Sequence, residues 1–183
     1  MNETPPPSAW VVRWITLIES HGTTLDVACG AGRHTKLLLE RGYKVVAVDA
    51  DIGAIAPFQD RTDLTLIQAD LEHGPWPFPE GIFHGIVVTN YLYRPLFPHL
   101  MAALKPGGIL IYETFALGNA EFGRPSNPDF LLQHGELLRV VEDKARVIAY
   151  EDVYTETPKP ALVQRICAVA NGGMQHHFPA PSN

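Results

Sequence analysis

Apolar positions change their period several times along the chain. Trp10, Val11, Trp14, Ile15 and Ile18 recur at helical spacing behind Ser8, which offers an N-cap, and Gly22 suits the stop. Residues 23–28 form a short apolar run that reads as a buried strand. Residues 33–41 read as a helix stopped at Gly42, and 43–48, rich in β-branched side chains, as a second strand. Pro57 limits any helix after Asp51. The third strand is expected at 64–68. Three prolines within 75–79 exclude a helix there. A fourth strand covers 83–89, and a helix suits 92–104, with Pro95 and Pro98 near its start. Residues 105–108 make a tight turn into a fifth strand, 109–113. Beyond a long Gly/Asn/Pro-rich stretch, 114–130, come a short helix at 135–142 and a closing hairpin of 145–154 and 162–170.

Strands that alternate with helices predict a parallel sheet covered on both faces, and the near-continuous apolar runs at 83–89 and 109–112 agree. The fold class expected is α/β: a Rossmann-like, doubly wound, three-layer αβα arrangement whose mostly parallel sheet ends in a C-terminal antiparallel hairpin strand. One domain should span 8–170, between a flexible N-terminus at 1–7 and a disordered tail at 171–183.

Composition narrows the function. With 183 residues the chain can bury a core without disulfide or metal staples. Twenty acidic and 14 basic residues give a net charge of −6, and no Lys/Arg cluster stands out, so nothing points directly to nucleic acid. No apolar run reaches the ~20 residues of a membrane span, and no secretory leader pattern opens the chain. Cys29 and Cys167 read as two buried thiols. The eight histidines lack ligand spacing, so no metal is expected. These features suggest a cytoplasmic protein, monomeric or homodimeric.

The strongest chemical signal is the segment from Leu25 to Thr35, in which a strand enters a Gly30-Ala31-Gly32 turn that opens a helix. Glycines allow close backbone approach to a ligand, and the helix N-terminus offers free N–H groups to an anion. A dinucleotide site would continue with a third Gly or Ala where this chain has Thr35, and the Gly-Lys-Ser/Thr of a phosphate loop is absent. Acids occur instead. Asp26 lies four residues before Gly30, Asp49 closes the second strand, and Asp70 follows the third. A carboxylate at the end of the second strand can accept two hydroxyl hydrogen bonds from a ribose.

On these residues the chain resembles the class I S-adenosylmethionine-dependent methyltransferases, over roughly 8–170, and more loosely the small bacterial tellurite-resistance type. Asp26, Ala28, Gly30 and Gly32 match the first motif, with Ala28 in place of its first glycine. Asp49 matches the ribose-binding acid, Asp70 and Leu71 the adenine-side positions, and 105–108 the turn before the fifth strand. The resemblance implies S-adenosyl-L-methionine as cofactor, held by Asp26, Ala28, Gly30, Gly32, Asp49, Ala50, Asp70, Leu71 and Asn90. It also implies a small-molecule acceptor near the ends of strands four and five. There Tyr91 could orient the acceptor, Arg94 and Arg124 could hold an anion, and Glu113 or His134 could remove a proton. The Pro-Pro-Tyr signature of amino-methylating nucleic-acid enzymes is missing after Asn90. Methylation of RNA or protein with a partner, a non-catalytic cofactor-binding subunit and a nicotinamide-dependent oxidoreductase remain as alternatives.

Overall fold

The computed structural model describes residues 5–172. Helix α1 (Ala9–Trp14) starts where Ser8 caps it, the Ser8 hydroxyl oxygen accepting from the N–H groups of Trp10 and Val11, and it tightens into a 3₁₀ turn, Ile15–Leu17. Then follow β1 (Thr23–Val27), α2 (Arg33–Glu40), β2 (Lys44–Asp49), β3 (Leu64–Gln68), β4 (Phe83–Thr89), α3 (Phe97–Ala103), β5 (Leu104–Phe115), α4 (Glu136–Val141), β6 (Ala145–Thr155) and β7 (Ala161–Ala170). The sheet order is β3-β2-β1-β4-β5-β7-β6, with β7 antiparallel to both neighbours and β1 to β5 parallel.

Side-chain alternation divides the core into two layers. Ile109 and Ile111 of β5, with Val87 of β4 and Cys167 and Val169 of β7, face α1 and α2. Leu110 and Tyr112, with Ile86, Val88, Ile166 and Ala168, face α3 and α4. Neither β2–β3 nor β3–β4 is bridged by an α-helix. Trp76 and Phe78 from the proline-rich loop cover that part of the sheet, their rings edge to face at 5.0 Å.

Four boundaries differ from expectation. The single helix expected over 92–104 is a 3₁₀ turn, Arg94–Leu96, followed by α3, because a proline fits the first turn of each segment but not the interior of a continuous helix. Strand β5 begins at Leu104 rather than at 109, since Leu104 already pairs with Phe83 and the register slips before Gly85. Residues 5–7 are docked rather than free: the Pro6 carbonyl accepts from Arg33 at 3.2 Å. The expected tail also starts later than 171, for Asn171 bonds the carbonyls of Lys144 and Asp143. The remaining tail, 173–183, and residues 1–4 lie outside the described residues. Among the described residues no helix is long and apolar enough to cross a membrane.

Candidate active site

The carboxyl ends of β1 to β5 meet on one edge of the sheet, the edge at which open α/β sheets bind ligands. Two left-handed glycines shape the turn after β1, Gly30 at φ 53° and Gly32 at φ 77°. Their uses differ. A Cβ on Gly30 would meet open space, whereas one on Gly32 would lie 2.5 Å from Ile55 Cδ1. Gly32 is therefore required by packing as well as by φ, and Gly30 leaves the rim open. Ala28 holds φ 52° without being glycine, a strained position for an L-residue.

Asp49 ends β2 at this rim. Its Oδ2 accepts from Gly30 N–H at 2.8 Å and its Oδ1 from Asp51 N–H at 3.0 Å. Each oxygen keeps a lone pair for a further donor. Beside it opens a cavity of about 370 Å³, lined among others by Ala28, Asp49, Ala69, Asp70, Leu71, Glu72 and Tyr91. Its walls carry three carboxylates and no Lys or Arg. Asp70 caps its own turn: Oδ1 accepts from the N–H groups of Glu72 and His73, which, with the His73 ring, holds its carboxyl below the usual range. The Tyr91 phenol is pushed well above its ordinary value by burial and by the hydrogen-bonded Glu72 carboxylate beside it, so it stays protonated.

Two smaller cavities continue along the edge. One, of about 210 Å³, shares Glu72 and Tyr91 with the first and adds Asn90, Leu92, Phe115 and Phe130. The next, of about 180 Å³, shares Asn90 and Phe115 and runs under Pro7 and Ser8 to Arg33, Glu113 and Arg165. Asn90, at φ 55°, stands between them.

The docked N-terminal segment is locked over this edge by Ser8. Its N–H donates to His34 Nε2 at 3.0 Å and its hydroxyl to Glu113 Oε1 at 2.6 Å, while the same oxygen caps α1. With Nε2 accepting, the neutral ring carries its proton on Nδ1, 3.2 Å from Thr89 Oγ1. Burial, and then the Arg33 charge, push His34 down to about 3. As site residues His34 and Glu72 went unread in the sequence, and Ser8 was read only as an N-cap; the local signal was their position within a few residues of the Gly turn, Asp70 and the first helix start.

Several expected site residues are placed elsewhere. Asp26 is 2% exposed and lines none of these cavities; it sits beneath the Gly turn and accepts the Thr35 hydroxyl at 2.6 Å. Arg94, expected at the acceptor, is instead a clamp. Its Nε and Nη2 reach the Glu136 carboxylate at 2.7 and 3.0 Å, and its other contacts are the carbonyls of Asp129 and Leu131. Replacing Arg94 by alanine would leave Glu136, 12% exposed, without its cation. The expected loss is about 2 kcal/mol in a denaturant melt, with cofactor affinity changed less than threefold by calorimetry. Glu113 does line the edge, but both oxygens are engaged, by Ser8 and by Arg165 at 3.1 Å, which makes it an anchor. Exposed His134 lies beside Asp152, and Arg124 lies on the outer loop. Cys29, pushed up to about 12 by burial and the nearby Asp26 and Asp49 charges, is an inert thiol.

The family model described as a methyltransferase domain matches residues 24–108, the stretch from β1 to the start of β5. That match covers a little under half of the chain. Trans-aconitate 2-methyltransferase of Rhizobium meliloti is 32% identical over 94 residues, 49% of this chain and 37% of that protein. Glycine/sarcosine N-methyltransferase of Parasynechococcus marenigrum is 29% identical over 185 residues, covering 89% of this chain and 59% of its own length. The chain thus spans well under two thirds of these curated relatives. Among solved structures, TehB from Haemophilus influenzae superposes with a TM-score of 0.76 at 18% identity, over 92% of this chain and 64% of TehB. The 1,6-didemethyltoxoflavin-N1-methyltransferase of Burkholderia thailandensis, solved with S-adenosylhomocysteine, gives 0.67 at 18% identity over 89% of this chain and 76% of its own. At these identities the superpositions carry the Rossmann-like fold.

Proposed function

We propose that the chain transfers the methyl group of S-adenosylmethionine to a small-molecule acceptor. The observation that carries this reading is the 370 Å³ cavity beside Asp49. Asp49 has lone pairs free for ribose hydroxyls, and Leu71 and Ala69 offer an apolar wall for an adenine ring. The acidic lining of Asp49, Asp70 and Glu72 suits a cofactor bearing an ammonium and a sulfonium and opposes a pyrophosphate. That same charge pattern disfavours the nicotinamide alternative.

When bound, the cofactor supplies a methyl group on an already activated sulfonium, so the protein's task is positioning. Tyr91 and Glu72, shared by the first two cavities, form the wall between cofactor and acceptor. Because the Tyr91 phenol stays protonated and gives its one O–H to Glu72, it orients the acceptor with its ring and the remaining lone pairs of its oxygen rather than by taking a proton. The docked N-terminal segment, fastened through Ser8, narrows the edge to cavities of small-molecule size. Both curated relatives named above are, by name, methyltransferases of small molecules.

Calorimetric titration with S-adenosylhomocysteine, beside NADH, tests the reading. Saturable binding of the first alone is expected, and S-adenosylhomocysteine should then accumulate when S-adenosylmethionine is supplied with a suitable acceptor. Binding of NADH alone, or of neither, would overturn it.

A further inference from the structure

The third cavity, about 180 Å³, differs in charge from the first. Its charged lining is Arg33, Lys159, Arg165 and Glu113. Arg165 and Glu113 answer each other at 3.1 Å, and Arg165 also pairs with Glu151 at 2.7 Å. Two cations remain. Among the described residues no carboxylate lies within ion-pair distance of Arg33 or Lys159. Arg33 is half-buried; it donates to the Pro6 carbonyl and, at 3.4 Å, to Thr89 Oγ1, which among the described residues leaves donors of its fork free. Lys159, on the turn between β6 and β7, stands 6.0 Å from the centre of the Phe115 ring. Apart from these groups the walls are mostly apolar, among them Pro7, Phe115, Pro158 and Val163.

A half-buried guanidinium that, among the described residues, has no carboxylate at ion-pair distance and feels Glu113 and Asp26 only from further off favours an anion that joins it in the apolar chamber. The chain as a whole has a charge of −6, so the charge of this lining is opposite in sign to that of the chain and of the first cavity. We propose that the third cavity holds a carboxylate end of the acceptor, with Arg33 and Lys159 on its charge and Phe115 and Val163 on its apolar body, while the reacting end passes Asn90 into the second cavity beside Tyr91. A phosphate dianion fits less well, because Glu113 stands in the same wall. This inference rests on the methyltransferase reading, since the cavity meets the cofactor edge through Asn90 and Phe115. It moves anion recognition from Arg94 and Arg124 to two residues 126 positions apart (159 − 33 = 126), joined only by the fold.

The test is calorimetry on the full chain saturated with S-adenosylhomocysteine. The probes are phenylacetate, 3-phenylpropionate and hexanoate, each beside its own amide, which keeps the shape and removes the charge. At least one acid should bind about tenfold or more tighter than its amide. Lys159→Gln should weaken that acid about five- to tenfold while S-adenosylhomocysteine affinity holds. Arg33→Lys, which keeps the charge but loses the planar fork, should weaken it less than Arg33→Gln. Acids that bind no better than their amides, or an affinity indifferent to Lys159→Gln, overturn the proposal. Failure of the wild-type chain to bind S-adenosylhomocysteine would instead strike the methyltransferase reading, because that measurement comes first and does not involve Lys159.

Discussion

Asp49→Ala is expected to weaken S-adenosylhomocysteine binding by about a hundredfold or more while leaving the melting temperature nearly unchanged. Both halves follow from where the carboxylate sits. In the folded protein it accepts, among the described residues, from the N–H groups of Gly30 and Asp51, in exposed bonds that water can replace. Losing them should cost the fold a few tenths of a kcal/mol. Binding is different. A ribose offers two hydroxyls to one carboxylate, and hydrogen bonds to a charged group contribute about 1.5–3 kcal/mol each. Two such bonds amount to about 3 kcal/mol at the low end, near a hundredfold in the dissociation constant. Asp49→Asn retains one acceptor oxygen and should fall between wild type and alanine. Calorimetry with a parallel thermal melt reads both quantities. An alanine variant that binds within threefold of wild type would remove Asp49 from the site, and with it the assignment of the 370 Å³ cavity.

The elements read most clearly in the sequence are those decided by local physics. Strands β3 and β4 fall where their apolar runs stand, and Ser8 caps α1 through its own hydroxyl. Strand order was only partly legible. The terminal hairpin could be read, but its second strand lies between β5 and β6, a placement decided by packing of Ile166 and Cys167 on the two faces. Arg94 shows why functional residues are harder. An arginine just after the fourth strand looks free until Glu136, 42 residues later, folds against it. His34 carries the opposite lesson: one histidine among eight gains its role only because the N-terminal segment returns to set the Ser8 N–H on its ring. Motif residues were found because a motif is local in sequence. Arg33 and Lys159 were not, because their common surroundings exist only after β7 pairs with β5.

Asp26 is the second residue whose replacement should have a large effect, and here the readout is pH. Burial beneath the Gly turn raises its carboxyl from 3.8 to about 6, against the opposing hydrogen bonds from the Thr35 side chain and backbone. The sign follows from proton counts. Between about pH 4 and 6 the unfolded chain has released this proton and the folded chain still holds it. Stability from this group is therefore fully present below 3.8 and is lost as pH rises through about 6. The difference between 3.8 and about 6 corresponds to about 3 kcal/mol at most. Asp26→Asn removes the charge and keeps the shape. Its carbonyl can accept the Thr35 N–H while its amide donates to the Thr35 hydroxyl, which turns from donor to acceptor. Urea melts should then place the variant near wild type at pH 4 and about 1–3 kcal/mol above it at pH 8. A stability difference equal at both pH values would mean that Asp26 is not desolvated in the folded protein. Because Asp26 lines none of the described cavities, S-adenosylhomocysteine affinity should change less than about fivefold. A larger loss would mean that the charge reaches the cofactor through the Gly30–Gly32 turn it underlies, so that the acid of the motif acts on the ligand by holding the backbone.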